Sequence, residues 1–338
     1  MEDRAALLTA GLPRAGRYVE VGPSHNPLLA KRDGWDVAIV DHLDRAGLVE
    51  KYAAHANVDP DAIEEVDHVW HGEPLADLFP PEVLGTYDAV IASHVVEHTT
   101  DLVGFLGQAS RLIRPDGGQV VLAVPDKRVC FDFFRPVSTT ADAIVAHREG
   151  RTRHDGRTLF DYVASAAGRA GHISWGHRET RALEFLHPLP QALAMMEAAA
   201  TSPDYIDAHQ WVFTPSSFAL ILLELRALDL IDLVVDEVRE MPGNEFHARL
   251  RRGDLEGDDD AIRARRVTLS ARTTLELAEQ ARQISAATLP QTERELRDRL
   301  VRTRAQAKSI RQQIVALQGR PSLRGLPARL WSAVAGRF

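Results

Sequence analysis

Arg17-Tyr18-Val19-Glu20-Val21-Gly22-Pro23-Ser24-His25-Asn26-Pro27 is the stretch whose reading decides the fold. Tyr18, Val19 and Val21 are strand formers, so the run reads as a short buried strand that stops at Gly22. Gly22-Pro23 is turn chemistry: a glycine without Cβ lets backbone approach a ligand, and proline fixes the next φ. Glu20 stands just before the turn, where a carboxylate can meet an ammonium or a hydroxyl. About twenty residues on, a second strand over Asp36–Val40 ends in Asp41, the spacing at which a carboxylate reaches a nucleotide ribose in open α/β sheets. Strand, glycine turn and second strand ending in an acid together predict a nucleotide-type cradle.

Outward from the cradle, residues 1–16 read as a short lead-in helix closed by Gly11 and Pro13. Ile63–Asp67 is the expected third strand, Tyr87–Ser93 the fourth and Gln119–Val124 the fifth. Between the last two, Asp101 can cap a helix whose Leu102, Phe105, Leu106, Ala109, Leu112 and Ile113 share one face. This alternation predicts a parallel sheet flanked by helices. Residues 126–211 break the rhythm with His, Arg, aromatic residues and short helical stretches, and read as an insertion over the C-terminal edge of the sheet. Thr214-Pro215 then opens a helix to about Leu228, and Leu230–Val238 and Glu245–Arg251 pair as an antiparallel hairpin around Pro242-Gly-Asn.

The domain therefore spans 1–251, followed by an acidic linker at 252–262, a helical segment at 263–318 and a basic tail at 319–338. Leu296, Leu300, Thr303, Ala307, Ile310, Ile314 and Leu317 alternate in steps of four and three, a heptad seam that predicts a homodimer through 293–318. Arg320, Arg324, Arg329 and Arg337 alternate with Leu323, Leu326, Leu330, Trp331 and Val334, which suits an anionic membrane surface or a partner groove. A formal charge of −8 opposes a general nucleic-acid binder. Cys130 is the only cysteine, which fits a reducing compartment. With no apolar run of membrane-spanning length and no leader pattern, the expected location is cytoplasmic, with peripheral contact at the inner membrane face through the tail.

Glu20-Val-Gly-Pro, the Asp41 strand end, Ser93-His-Val-Val-Glu-His98, Leu112-Ile-Arg-Pro-Asp-Gly-Gly118 and the final hairpin together resemble class I S-adenosylmethionine-dependent methyltransferases over about 17–251. More narrowly, Val40-Asp-His-Leu-Asp, Ala92-Ser-His, Val124-Pro-Asp-Lys-Arg, Asp207-Ala-His-Gln-Trp-Val-Phe-Thr-Pro and Gly243-Asn-Glu-Phe are similar to a bacterial subgroup met among cell-surface polysaccharide genes. The resemblance implies an α/β fold with a Rossmann-like, mostly parallel sheet, a terminal antiparallel hairpin, a helical insertion after the fifth strand and a helical C-terminal tail. It implies S-adenosylmethionine as cofactor, with Glu20, Gly22 and Pro23 at its methionine end, Asp41 on the ribose, Asp67 and Val69 (or Trp70) at the adenine, and Ser93 and His94 facing the methionine or the methyl. The usual first motif carries more glycines than the single Gly22 here. The implied reaction is O-methylation of a sugar hydroxyl in a surface glycan or its precursor.

A hydroxyl is a poor nucleophile at neutral pH, so a general base within reach is expected. His209, oriented by Asp207, is the first choice and Asp126 the second. Lys127 and Arg128 are read as binding an anionic part of a small-molecule or glycan acceptor, and Trp211 as a platform for it. His94-x-x-Glu97-His98 also fits a zinc-peptidase pattern, but it directly follows an apolar strand and leaves no room for the regular helix that chemistry needs. His94 is therefore read as lining the site, with Glu97 and His98 supporting it, and no metal ligand set is assigned: His172, His177 and His187 lack tight spacing. Two rivals remain: a dinucleotide oxidoreductase, opposed by the missing Gly-x-Gly-x-x-Gly, and a non-catalytic scaffold recruiting partners through its tail.

Overall fold

The structure is a computed structural model that describes residues 4–55, 58–202, 204–284 and 291–318. It divides into two units, Met1–Ile284 and Ser285–Phe338.

The first unit is built on five parallel strands: β1 (Arg17–Val21), β2 (Asp36–Asp41), β3 (His68–Val69), β4 (Ala89–Ser93) and β5 (Gln119–Pro125). A small antiparallel pair, β6 (Ala167–Arg169) and β7 (Leu183–Phe185), lies in the insertion. The hairpin of β8 (Leu233–Glu240) and β9 (Glu245–Arg252) then completes the sheet, in the order β3-β2-β1-β4-β5-β9-β8. Strand β9 runs antiparallel to β5, with Glu245 opposite Pro125, so its first residue arrives where β5 ends.

Successive side chains of a strand point to opposite faces, and both faces here are apolar. Val19, Val21, Val90, Ala92, Val120, Leu122 and Val124 form one core, and Tyr18, Ile39, Ala89, Ile91, Val121 and Ala123 the other. The helices are α1 (Arg4–Leu8), α2 (Arg45–Tyr52), α3 (Leu102–Leu112), α4 (Thr140–Arg148), α5 (Gly156–Ala164), α6 (Leu189–Thr201), α7 (Pro215–Ala227) and α8 (Asp259–Arg282). Helix α3 is capped by Asp101, whose carboxylate accepts from the Gly104 amide, and it buries Leu102, Phe105, Leu106, Ala109 and Leu112, the face its spacing predicts. Each such side chain contributes on the order of 1.5–3 kcal/mol when fully buried. Thr214 and Ser217 form a reciprocal cap at the start of α7, with Pro215 at its first position.

Two boundaries differ from expectation. The third strand is His68–Val69 and not Ile63–Asp67. Glu64 and Glu65 do not suit a sheet position, and Asp67 exchanges both backbone and side-chain bonds with Ile39 just ahead of the strand. The linker is also shorter: Asp258 caps α8, accepting from the Ala261 amide. Helix α8 packs on α7, Glu276 accepts from the Ser216 hydroxyl at 2.6 Å, and Gln280 is buried. The stretch 263–284 is thus part of the first unit.

In the second unit α9 (Gln291–Gln318) is a single helix. Leu296, Leu300 and Ile310 of the expected seam are exposed on it. The side chains of Ile314 and Leu317, and the whole basic tail 319–338, lie outside the described residues. Among the described residues no helix is long and apolar enough to cross a membrane.

Candidate active site

The C-terminal ends of β1, β2, β4 and β5 share one edge, where open α/β sheets carry their ligands. At β1, Gly22 turns with φ +68, and a Cβ there would stand 2.7 Å from Val95 Cγ2. Only glycine supplies both that conformation and that space. The Ser24 amide donates to Asp41 Oδ2 at 2.8 Å, so the loop after Pro23 is tied across to the end of β2. Glu20 is buried beneath the loop, and its two oxygens accept from the Leu28 and Leu29 amides at 2.7 and 3.0 Å. Burial pushes its carboxyl up to about 7, against the lowering effect of those two amides. Glu20 therefore shapes the loop.

Asp41 is buried at the end of β2, where the sequence places a ribose ligand, and its Oδ1 also holds His42. Val69 is its direct neighbour in the register of β2 and β3, and Trp70 follows. These residues give a carboxylate acceptor beside an apolar wall, an arrangement that fits a nucleoside. Asp67 does not join them. Its carboxylate binds Lys31 at 2.6 Å and the Ile39 amide at 2.7 Å, below the edge, which corrects its assignment to the adenine.

At β4, Ser93 accepts from Arg4 of α1 at 2.6 Å, and His94 adopts φ +54. His94 Nε2 bonds Glu245 at 2.7 Å and its Nδ1 faces Glu97 at 3.4 Å. Burial alone would lower this imidazole, but the two carboxylates hold it up at about 9, so at neutral pH it is a cation and a donor. Burial would raise Glu245 in turn, yet His247, His94 and Arg4 hold its carboxyl well below the usual range.

His209 reaches the same edge from the segment before α7. Its partner is not Asp207, as expected, but Asp132: Nδ1 lies 2.5 Å from Asp132 Oδ2, and both side chains are buried. Burial would raise the Asp132 carboxyl, but His209 and Arg135 keep it below its ordinary value. Asp207 instead binds His98 Nδ1 at 2.8 Å and accepts from the Tyr205 hydroxyl at 3.1 Å. Burial opposes ionisation of Asp207, and these bonds bring its carboxyl down to about 2. The rings of Phe131 and Tyr162 pack against His209.

Four further assignments are corrected by burial. Asp126 is 1% exposed and holds Arg128 through both oxygens at 2.9 Å, so it is no general base. Arg128, 1% exposed, is spent on Asp126 and Glu240. Lys127, 4% exposed, donates to the Phe133 carbonyl and to Gln280 of α8; burial brings its ammonium down to about 8. Trp211, 1% exposed, donates from its indole to the Thr99 carbonyl and fills core space.

Sequence reasoning missed Asp132, Glu245 and Arg4. Asp132 carries a faint signal as a lone acid in Cys130-Phe-Asp-Phe-Phe134, close after the fifth strand. Glu245 stands in the Gly243-Asn-Glu-Phe motif but takes no role from it, and Arg4 carries no signal, because each meets its partners only through the fold.

A model of a methyltransferase domain family matches residues 1–224, well over half of the chain. The chain belongs to that family. S-adenosylmethionine is the cofactor this membership implies, and the Asp41, Val69 and Gly22 surroundings fit it. Solved structures similar to this methyltransferase include CcbJ from Streptomyces caelestis, 15% identical, covering 74% of this chain and 94% of that one with a TM-score of 0.39. An S-adenosylmethionine dependent methyltransferase from Mesorhizobium loti is 14% identical, with 73% and 98% covered and a TM-score of 0.38. A Burkholderia thailandensis 1,6-didemethyltoxoflavin-N1-methyltransferase, bound to 1,6-didemethyltoxoflavin and S-adenosylhomocysteine, is 14% identical, with 74% and 76% covered and a TM-score of 0.36. No curated protein matches the sequence.

Proposed function

We propose that this methyltransferase acts on a hydroxyl oxygen, in a sugar of a surface glycan or its precursor. The observation that carries the reading is the buried Asp132–His209 pair at the edge of the sheet. A hydroxyl must lose its proton as it is methylated, and a histidine held at one nitrogen by a carboxylate offers the other nitrogen for that proton. When bound, S-adenosylmethionine supplies an electrophilic methyl group on its sulfonium sulfur. Asp41 would hold the ribose hydroxyls of the nucleoside, with Val69 on the side of the base and Gly22 leaving room at the turn. Asp132 keeps the Nδ1 proton of His209 in place, so that Nε2, 4.0 Å from Glu97, is the nitrogen left to take the hydroxyl proton. His94, cationic and fixed by Glu245, takes no part as a base. The glycan acceptor is supported by the likeness of the motifs 40–44, 92–94, 124–128 and 207–215 to a subgroup found among polysaccharide genes.

Calorimetric titration with S-adenosylmethionine and S-adenosylhomocysteine, on the wild type and Asp41→Ala, tests the cofactor half. Binding that disappears in the variant is the expected result, and a wild type that binds neither ligand removes the reading. A panel of sugar and sugar-nucleotide acceptors, assayed with His209→Gln alongside, tests the other half. Undiminished turnover in that variant would take His209 out of the chemistry.

A further inference from the structure

The 3₁₀ turn Val96–His98 that follows β4 holds a buried carboxylate whose nearest cation is the His94 imidazole, with Nδ1 3.4 Å away. Glu97 is 1% exposed, and neither of its oxygens has a hydrogen-bond partner. One ion pair at that separation leaves a buried carboxylate short of hydrogen bonds, which is costly. Two further imidazoles show it the Nε2 atom: His98 at 3.9 Å and His209 at 4.0 Å. These separations are too long for hydrogen bonds. Two ligands that each lie about 2.0–2.2 Å from one ion can stand no more than about 4.4 Å apart, and both distances fall under that limit.

The outer side of each ring is already committed. Asp207 holds Nδ1 of His98 at 2.8 Å, and Asp132 holds Nδ1 of His209 at 2.5 Å. A carboxylate behind a histidine fixes the tautomer and leaves the inner nitrogen with its lone pair, the arrangement usual behind metal-bound histidines. The backbone fixes the third relation: the Glu97 carbonyl accepts from the Gln210 and Trp211 amides at 2.7 and 3.1 Å, which sets His209 against Glu97. The two rings pack edge to face, with centroids 4.7 Å apart. Among the described residues this is the group of His and acid side chains able to surround an ion, its ligand atoms all within 4.8 Å of one another.

We propose that Glu97, His98 and His209 bind one divalent transition-metal ion, through one carboxylate oxygen and two Nε2 atoms. Two imidazoles and a carboxylate suit zinc, manganese, iron, cobalt or nickel, whereas magnesium and calcium favour an all-oxygen shell. Three protein ligands leave coordination positions open, and His98 is the half-buried side of the group, so an outside oxygen can complete it. The site does not depend on which acceptor the enzyme takes. With an ion present the His209 lone pair is engaged; the ion would then lower the pKa of the acceptor hydroxyl, and the proton would leave to solvent water and not to His209.

The test uses the full-length protein without a histidine tag, stripped with chelator and dialysed against Zn2+, Mn2+ or Co2+ in turn. Expected are one ion per chain by elemental analysis, a raised unfolding temperature, and a visible cobalt spectrum. His98→Gln, the less buried ligand, should remove all three while keeping the wild-type circular dichroism, and Asp207→Asn should weaken the ion by about 10–100-fold. Failure of every metal to bind, or equal binding by His98→Gln and Glu97→Gln, overturns the proposal. S-adenosylhomocysteine titrated into the same samples separates the two readings: metal without nucleoside binding spares the ion site and sinks the cofactor reading, and the converse result does the reverse.

Discussion

His209 Nδ1 lies 2.5 Å from Asp132 Oδ2, although the two residues are separated by most of the insertion. Asp132 sits just past β5 among phenylalanines, and His209 comes from the extended segment that leads into α7. Replacing Asp132 by Asn keeps the volume but lets the histidine take the other tautomer. Turnover is expected to fall by about 10²–10⁴-fold, the usual weight of a positioned proton acceptor. The dissociation constant for S-adenosylhomocysteine should stay within a few-fold of the wild type. Single-turnover rates and calorimetry on Asp132→Asn check both halves.

Arg128 and Asp126 are a buried pair, and breaking one side of such a pair leaves an uncompensated charge. Arg128→Met should cost about 3–5 kcal/mol of unfolding free energy. Denaturant titration reads this, and the acceptor KM of the remaining folded enzyme should not move. A stable variant with a raised KM would return Arg128 to the acceptor site.

Gly22 combines φ +68 with a Cβ position 2.7 Å from Val95 Cγ2. Gly22→Ala therefore meets both a backbone penalty of about 1–2 kcal/mol and a displacement of Val95. Weaker binding of S-adenosylhomocysteine together with a lowered unfolding temperature is expected. Val95→Ala in the same chain should recover part of the loss, which calorimetry of the double variant measures.

Glu20 gives a pH dependence with a definite sign. Its carboxyl is raised from 4.5 to about 7 in the folded protein, so its contribution to stability is present below 4.5 and lost as pH climbs through about 7. A shift of that size corresponds to about 3 kcal/mol at most. Glu20→Gln should flatten this part of the profile. Urea midpoints of both proteins at about pH 5 and about pH 8 are the check: the wild type loses ground to the variant at the higher pH.

The sheet was legible because local pattern and tertiary fate agree there. Val19, Val21, Ile91, Val121 and Leu122 alternate or run apolar as buried strands do, and Asp101, Thr214 and Pro215 mark helix starts by their own chemistry. The cradle residues Gly22 and Asp41 follow from a spacing set by one strand-turn-strand unit. The acceptor side was read less well. Lys127 and Arg128 look like surface ligands in the sequence, yet the insertion and α8 close over them, and each finds an internal partner. Asp207 is the carboxylate nearest His209 in sequence, but the fold brings His98 to Asp207 and Asp132 to His209, two pairings that sequence distance does not reveal. Partners such as Arg4 and Glu245 are 241 residues apart and leave no local trace.

That last pair has a bearing on how the molecule is made. Because β9 is antiparallel to β5, it is the opening residue of β9, Glu245, that lands beside His94, and Arg4 from the other extremity of the unit closes on both Glu245 and Ser93. A ribosome releases Arg4 first and Glu245 after nearly the whole unit has emerged. A nascent chain stalled before the hairpin contains β1 and β2 but leaves His94 with Glu97 alone, without Glu245. The tie between the loop after β1 and the end of β2 thus has all its residues early in synthesis and the His94–Glu245 contact only late, and any truncation upstream of β9 separates the two.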